Sequence, residues 1–126
     1  MNSSSPLVES IINGIQEKKG RSISVCDLRS IETAPCQYFV IASGGSPQQV
    51  EALARSVADF ARKDCGEKPA AVVGLDNAVW VAADFGTVMV HLFAPGLREY
   101  YDIEHLWADA AVESIPDFDA EDTAAL

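Results

Sequence analysis

The stretch Ala78–Ala110, AVWVAADFGTVMVHLFAPGLREYYDIEHLWADA, constrains this chain most, because strand, turn, strand, loop and helix signals follow one another in it without a gap. Val79, Val81 and Ala83 alternate with Trp80, Ala82 and Asp84, the period of a half-buried strand. Asp84-Phe85-Gly86 supplies a turn, glycine giving the positive φ that closes a hairpin cheaply. Val88, Val90 and Leu92 then alternate with Met89, His91 and Phe93 in a return strand. Trp80 and Asp84 are left on the side opposite the aliphatic row, with Phe85 at the turn itself. At about 100° per residue, the following segment puts Ile103, Leu106, Trp107 and Ala110 on one helical face. Tyr100 falls at the edge of that face, and Tyr101 nearly opposite it, beside His105. A single aromatic off a buried face is ordinary. Trp80, Phe85 and Tyr101 together, within one short unit, point to a protein-binding patch.

The rest of the chain reads as support for that unit. Residues 1–5 form a polar, flexible start, and Ser5-Pro6 caps a helix striped by Val8, Ile11, Ile12 and Ile15, which Gly20 is expected to end after Lys18 and Lys19. Ile23 and Val25 mark a first strand, SISVCDL. QYFVIAS, from Gln37 to Ser43, is a nearly continuous apolar run, as expected of a central strand covered on both faces. Gly44-Gly45-Ser46-Pro47 opens a second helix whose buried face is Val50, Leu53, Ala54, Val57, Phe60 and Ala61, stopping at Cys65-Gly66. That glycine loop reads either as an anion site at a helix N-terminus or as a tight strand-to-helix connection. Without a P-loop lysine or a full dinucleotide fingerprint, the second reading is favoured. A short strand at Ala70–Val73 precedes the central unit. The expected architecture is a single α/β (α+β) domain over residues 6–111, a mixed sheet with helices packed on it, followed by an acidic disordered tail over 112–126.

Charge narrows the function classes. The chain carries nineteen acids against nine lysines and arginines, a net charge of −10. The five tail acids Glu113, Asp117, Asp119, Glu121 and Asp122 account for half of this, leaving the body near −5. Nucleic-acid binding draws on cationic side chains, so direct DNA contact is disfavoured and little RNA contact is expected; a basic protein partner fits better. Three widely spaced cysteines, Cys26, Cys36 and Cys65, suggest reduced thiols in a cytoplasmic protein. No membrane-length apolar run or signal-peptide pattern is visible.

Catalysis finds few candidates. His91 and His105 read as structural histidines and the cysteines as apolar filler. The enzymatic alternative is Mg²⁺-dependent nucleotidyl transfer, with Gly45-Ser46 opening a helix and Asp84 on a following strand. Asp84 stands alone, however, and one carboxylate is a poor clamp for two metal ions.

YFVIASG with a helix behind it, then WVAADFGTVMVHLF, then REYYDIEHLWADA, resembles the ribosomal silencing factor family of Iojap-like proteins, from about Ile23 to Ala110. The matching positions are Trp80, Asp84, Gly86, Val90-His91, Arg98, Tyr101, Glu104 and Leu106-Trp107. The resemblance implies a nucleotidyltransferase-like topology without enzymatic activity, cofactor or metal. It implies a partner, ribosomal protein fourteen of the large ribosomal subunit, and a function: hindering the joining of the subunits when nutrients are short. It also implies a homodimer in the free protein. The family's contact residues carry over to Trp80, Phe85 and Tyr101, while Asp84, Arg98 and Glu104 match the motif as contacts or as braces of the turn and helix. The chain departs from the family pattern at Gln37, Val73 and Thr87, each of which replaces a usual acid.

Overall fold

Ser5 accepts a hydrogen bond from the Val8 amide, and Pro6 fills a first-turn position whose amide would have no helical partner. The helix so started, α1 (Pro6–Glu17), buries Leu7, Val8, Ile11, Ile12 and Ile15. The structure, a computed structural model, describes residues 5–103 and 110–117. After α1 come β1 (Arg21–Asp27), β2 (Tyr38–Ser43), α2 (Pro47–Cys65), β3 (Ala71–Val73), β4 (Trp80–Asp84), β5 (Val88–Phe93), α3 (Leu97–Tyr101) and β6 (Ala111–Ile115). The strands form one mixed sheet in the order β3-β4-β5-β2-β1-β6. Only β2 and β5 run parallel, at the centre, with Tyr38 opposite Val88 and Ser43 opposite Phe93. Burial along β2 is continuous from Tyr38 to Ala42, which answers to its unbroken apolar sequence.

Both long helices lie on one face. Their apolar stripes close over Ile23, Val25, Val40, Val81, Val90 and Leu92 to make the main core. Ser56 donates to the Gly14 carbonyl at 2.7 Å and Ser10 to the Asp64 carboxylate at 2.8 Å, tying α1 to α2. The second face holds a smaller core of Cys26, Leu28, Phe39, Ile41 and Phe93, with Ile31, Ala34, Cys36, Trp80, Met89, Leu97, Ile103 and Ala110 packed against it.

Several expectations need correction. The tail assigned to residues 112–126 is structured at its start: Ala111–Ile115 adds to β1 as an antiparallel edge strand, with Val25 opposite Glu113 and Asp27 opposite Ala111. An edge strand satisfies its backbone through one neighbour and needs little apolar periodicity, so composition alone hid it. Asp117 then accepts from the Ser22 amide at 2.8 Å and pairs with Arg21 at 3.1 Å. The remainder of the predicted tail, 118–126, lies outside the described residues. Gly20 does not terminate α1 by its own backbone freedom, because the left-handed residue is Lys19 (φ 61°). Gly20 is instead a space requirement, as a Cβ there would lie 2.4 Å from Ile15 Cγ2. Phe60 is only half-buried on α2, and Ser56 takes a buried place on that helix.

Candidate functional site

The hairpin is organised by its turn. Asp84 Oδ1 accepts from the Gly86 amide at 2.8 Å, Phe85 N–H donates to the Val88 carbonyl at 2.9 Å, and Gly86 takes the left-handed φ of 87° that the sequence anticipates. This fixes the register in which Trp80 faces Phe93 and Asp84 faces Met89. Trp80 and Asp84 therefore share the second face, at opposite ends of β4.

At the Trp80 end the aromatic rings converge. The indole packs on Phe93 (centroids 5.3 Å apart) and on Tyr101 (4.5 Å), while Tyr100 meets Tyr101 edge-on at 5.0 Å. These are favourable separations for aromatic pairs. Tyr101 remains 47% exposed and Tyr100 78% exposed, so the stack ends in solvent. The helical wheel had placed Tyr100 nearer the buried side than Tyr101, and the structure reverses them. The reason is local: Asp102 takes φ 50° and ends α3 at Tyr101, breaking the angular phase on which the wheel depends. Glu104, His105, Leu106 and Trp107 lie outside the described residues.

Arg98 anchors α3 to the sheet. Its guanidinium donates to the Ser22 carbonyl, to Ser43 Oγ at 2.9 Å and to Ser24 Oγ at 3.1 Å. Ser22 sits at an irregularity in the β1–β2 register with φ 54°. Its carbonyl is held by Arg98 and its amide by Asp117, so the start of α3 and the segment after β6 meet on one strained residue. Arg98 thus braces the helix that carries Tyr101.

Phe85 is placed differently from expectation. It is 7% exposed and belongs to the main core on the helix-covered face, at the far end of the hairpin from Trp80. As the residue after Asp84 it points to the opposite side, and the turn does not lift it into solvent. Of the six expected contact residues, the structure brings together Trp80, Arg98 and Tyr101. It leaves Asp84 as the turn brace and Phe85 as core. Sequence reading missed Tyr100 and Val73 as surface contributors. Val73 is 61% exposed and stands opposite Ala82, one strand out from Trp80 on the same face. It therefore adds apolar surface beside the stack. Gln37 and Thr87 lie together at the other end, where the Gln37 amide donates to the Thr87 carbonyl at 2.8 Å.

The candidate chemistry does not converge. The Gly45 amide donates to Gln49 Oε1, and the Gln49 amide to Ser46 Oγ at 3.1 Å. The Gln49 side chain also donates to the carbonyls of Lys18 and Lys19, both at 3.1 Å. The Gly44, Gly45 and Gln49 amides are thus engaged in a tight connection. Ser46 follows the Ser43 end of β2, whereas Asp84 lies at the Tyr38 end of the sheet, at least about 13 Å away along the strands. They cannot clamp one metal-bound phosphate. Burial raises the thiols of Cys36 and Cys65 above their usual pKa, against a reactive thiolate. His91 is buried and held neutral, its pKa lowered to about 4 by desolvation, with Nδ1 accepting from Trp80 Nε1–H at 3.2 Å. Among the described residues no group of histidines, cysteines and carboxylates is arranged to hold a metal ion. A groove of about 470 Å³ opens beside β6, lined by Val25, Asp27, Arg29, Tyr38 and Ala111–Glu113, but its charged pair is internally satisfied, Arg29 donating to Asp27 at 2.7 Å.

Comparison with known proteins places this geometry. The chain matches the family described as ribosomal silencing factor during starvation over residues 1–125. It is 36% identical to the ribosomal silencing factor RsfS of Bacillus subtilis, covering 79% of this chain and 82% of that protein. It is 28% identical to the chloroplastic protein Iojap of Arabidopsis thaliana, covering 79% of this chain and 42% of that one. A crystal structure of a Chromobacterium violaceum protein superposes with a TM-score of 0.75 at 35% identity, covering 81% and 83% of the two chains. Sequence and fold agree across most of the described domain: the chain belongs to the ribosomal silencing factor family.

Proposed function

We propose that this protein is a translational repressor of the cytoplasm that docks on the large ribosomal subunit through ribosomal protein fourteen and sterically blocks joining of the small subunit, chiefly under nutrient limitation. One observation carries the reading: the Trp80–Tyr101 stack, continued by Tyr100 and Val73, is an apolar surface at one end of an acidic domain. Aromatic anchors on a domain of net negative charge suit a basic protein surface, the charge steering encounter and the rings supplying affinity. Asp84 and Arg98 serve this surface by bracing the hairpin and α3; Phe85 serves it only through the core. Glu104 joins it by its motif position. Free molecules pair as homodimers. Steric exclusion requires no catalytic group and no cofactor.

Co-sedimentation with separated large and small ribosomal subunits across a salt range tests the proposal. The expected result is salt-sensitive binding to the large subunit alone, transferred to isolated ribosomal protein fourteen. Binding to neither subunit, or equal binding by the wild type and a Trp80→Ala, Tyr101→Ala double variant, would overturn it.

A further inference from the structure

Among the described residues His91 is the one buried ionisable ring on the second face, and neither the core nor the docking reading accounts for its polarity. It is 6% exposed and stands between Ile41 and Ala82 in the sheet. Its ring meets Phe39 edge-on at 5.0 Å and lies 6.0 Å from Trp80. Since Nδ1 accepts the indole N–H, the neutral ring carries its proton on Nε2. That Nε2 is buried with no hydrogen-bond partner. Leaving a buried donor unpaired is costly, and an apolar ring would fill the same space without that cost. What the imidazole adds over a phenylalanine is a single acceptor, and it is directed at Trp80.

We propose that His91 is a positioning residue for the docking face: its Nδ1 anchors the indole N–H and so fixes the plane against which Tyr101 stacks. Without the acceptor, a half-buried indole gains by turning its N–H to water, which takes its face away from Phe93 and Tyr101. The rigid stack is then lost before any partner arrives, and ordering it again weakens binding. The consequence for binding rests on the docking reading; the anchor does not.

Side-chain geometry supplies the test. Asparagine places its amide oxygen near the Nδ1 position and keeps the acceptor, glutamine reaches toward Nε2 and loses it, and phenylalanine removes both. The probe is the indole N–H resonance of Trp80 in nitrogen-labelled protein, assigned with Trp80→Phe to separate it from Trp107, together with large-subunit affinity. Exchange of that proton is expected to quicken roughly tenfold in His91→Phe and His91→Gln and to stay slow in His91→Asn, with affinity falling about fivefold in the first two, the scale of one net hydrogen bond. Unchanged indole exchange in His91→Gln and His91→Phe would overturn the anchor, as would equal losses in all three variants. Should Trp80→Ala bind like the wild type, the docking reading fails, while the exchange comparison still decides the anchor.

Discussion

On one face of the sheet, two long helices cover Val40, Val81, Val90 and Leu92 completely. On the other, a loop and the five-residue α3 cover Phe39, Ile41 and Phe93 and leave Trp80, Tyr100 and Tyr101 in partial contact with water. The first face is mainly aliphatic, closed by knobs of Val, Leu and Ile with Tyr38 and Phe85 among them. The second is aromatic, joined by ring contacts and hydrogen bonds such as those of Arg98 and His91. The same strands thus make a closed face for stability and the face proposed for docking. Among the described residues, the difference lies in how much secondary structure covers each.

That contrast can be broken by mutation. Leu53→Ala on the helix-covered face deletes a fully buried side chain and should cost about 2–5 kcal/mol in denaturant unfolding. A loss below about 1 kcal/mol would mean the closed face is more plastic than its packing implies. Acidification should act next, and from the second face. The folded protein holds His91 neutral down to about pH 4, while the unfolded chain takes up its proton near pH 6.5. The unfolded state therefore binds more protons across this window, and stability falls as pH drops through it, by about 3 kcal/mol in all. Unfolding free energies at stepped pH, compared with His91→Asn, would isolate this contribution from the carboxylates.

Tyr101→Ala should separate the two kinds of face most clearly. It is expected to cost about 2 kcal/mol of large-subunit affinity, while denaturant stability changes by less than about 1 kcal/mol. Equal losses in both measurements would make Tyr101 a core residue. The smallest effect belongs to Asp117→Ala. The ion pair with Arg21 is exposed, so global stability should move by about 0.5 kcal/mol or less. Hydrogen exchange should nevertheless quicken in the amides of β6, which pairs with one neighbour only.

The helix-covered face was legible in the sequence almost residue by residue, because stripes such as Val8-Ile11-Ile15 and Val50-Leu53-Val57 obey one period and one solvent boundary. The hairpin register was equally plain from Asp84-Phe85-Gly86. The proposed docking face was legible only in part. Trp80 and Tyr101 stood out as large rings off an aliphatic row, but Phe85 resembled them in sequence and is core in the structure. A residue at a turn has no periodicity to assign its face. The order of Tyr100 and Tyr101 depended on Asp102 leaving the helical conformation, a backbone event with no side-chain pattern. The strand β6 was concealed because its pairing partner lies more than eighty residues earlier, at β1, and edge pairing asks little of composition.

That last pairing also bears on how the chain is made. β1 contains residues 21–27 and β6 residues 111–115, while the central parallel pair unites β2 with β5, some fifty positions apart. During synthesis β1 meets one sheet neighbour, β2, soon after it is made, but the other, β6, only some eighty residues later. The outer hydrogen-bonding edge of β1 stays open until residues 111–115 have emerged. Such long-range closures are slow to form, and an open edge in the interval invites pairing with another nascent chain. Newly made copies are therefore most vulnerable to aggregation in the interval between the emergence of β1 and that of residues 111–115.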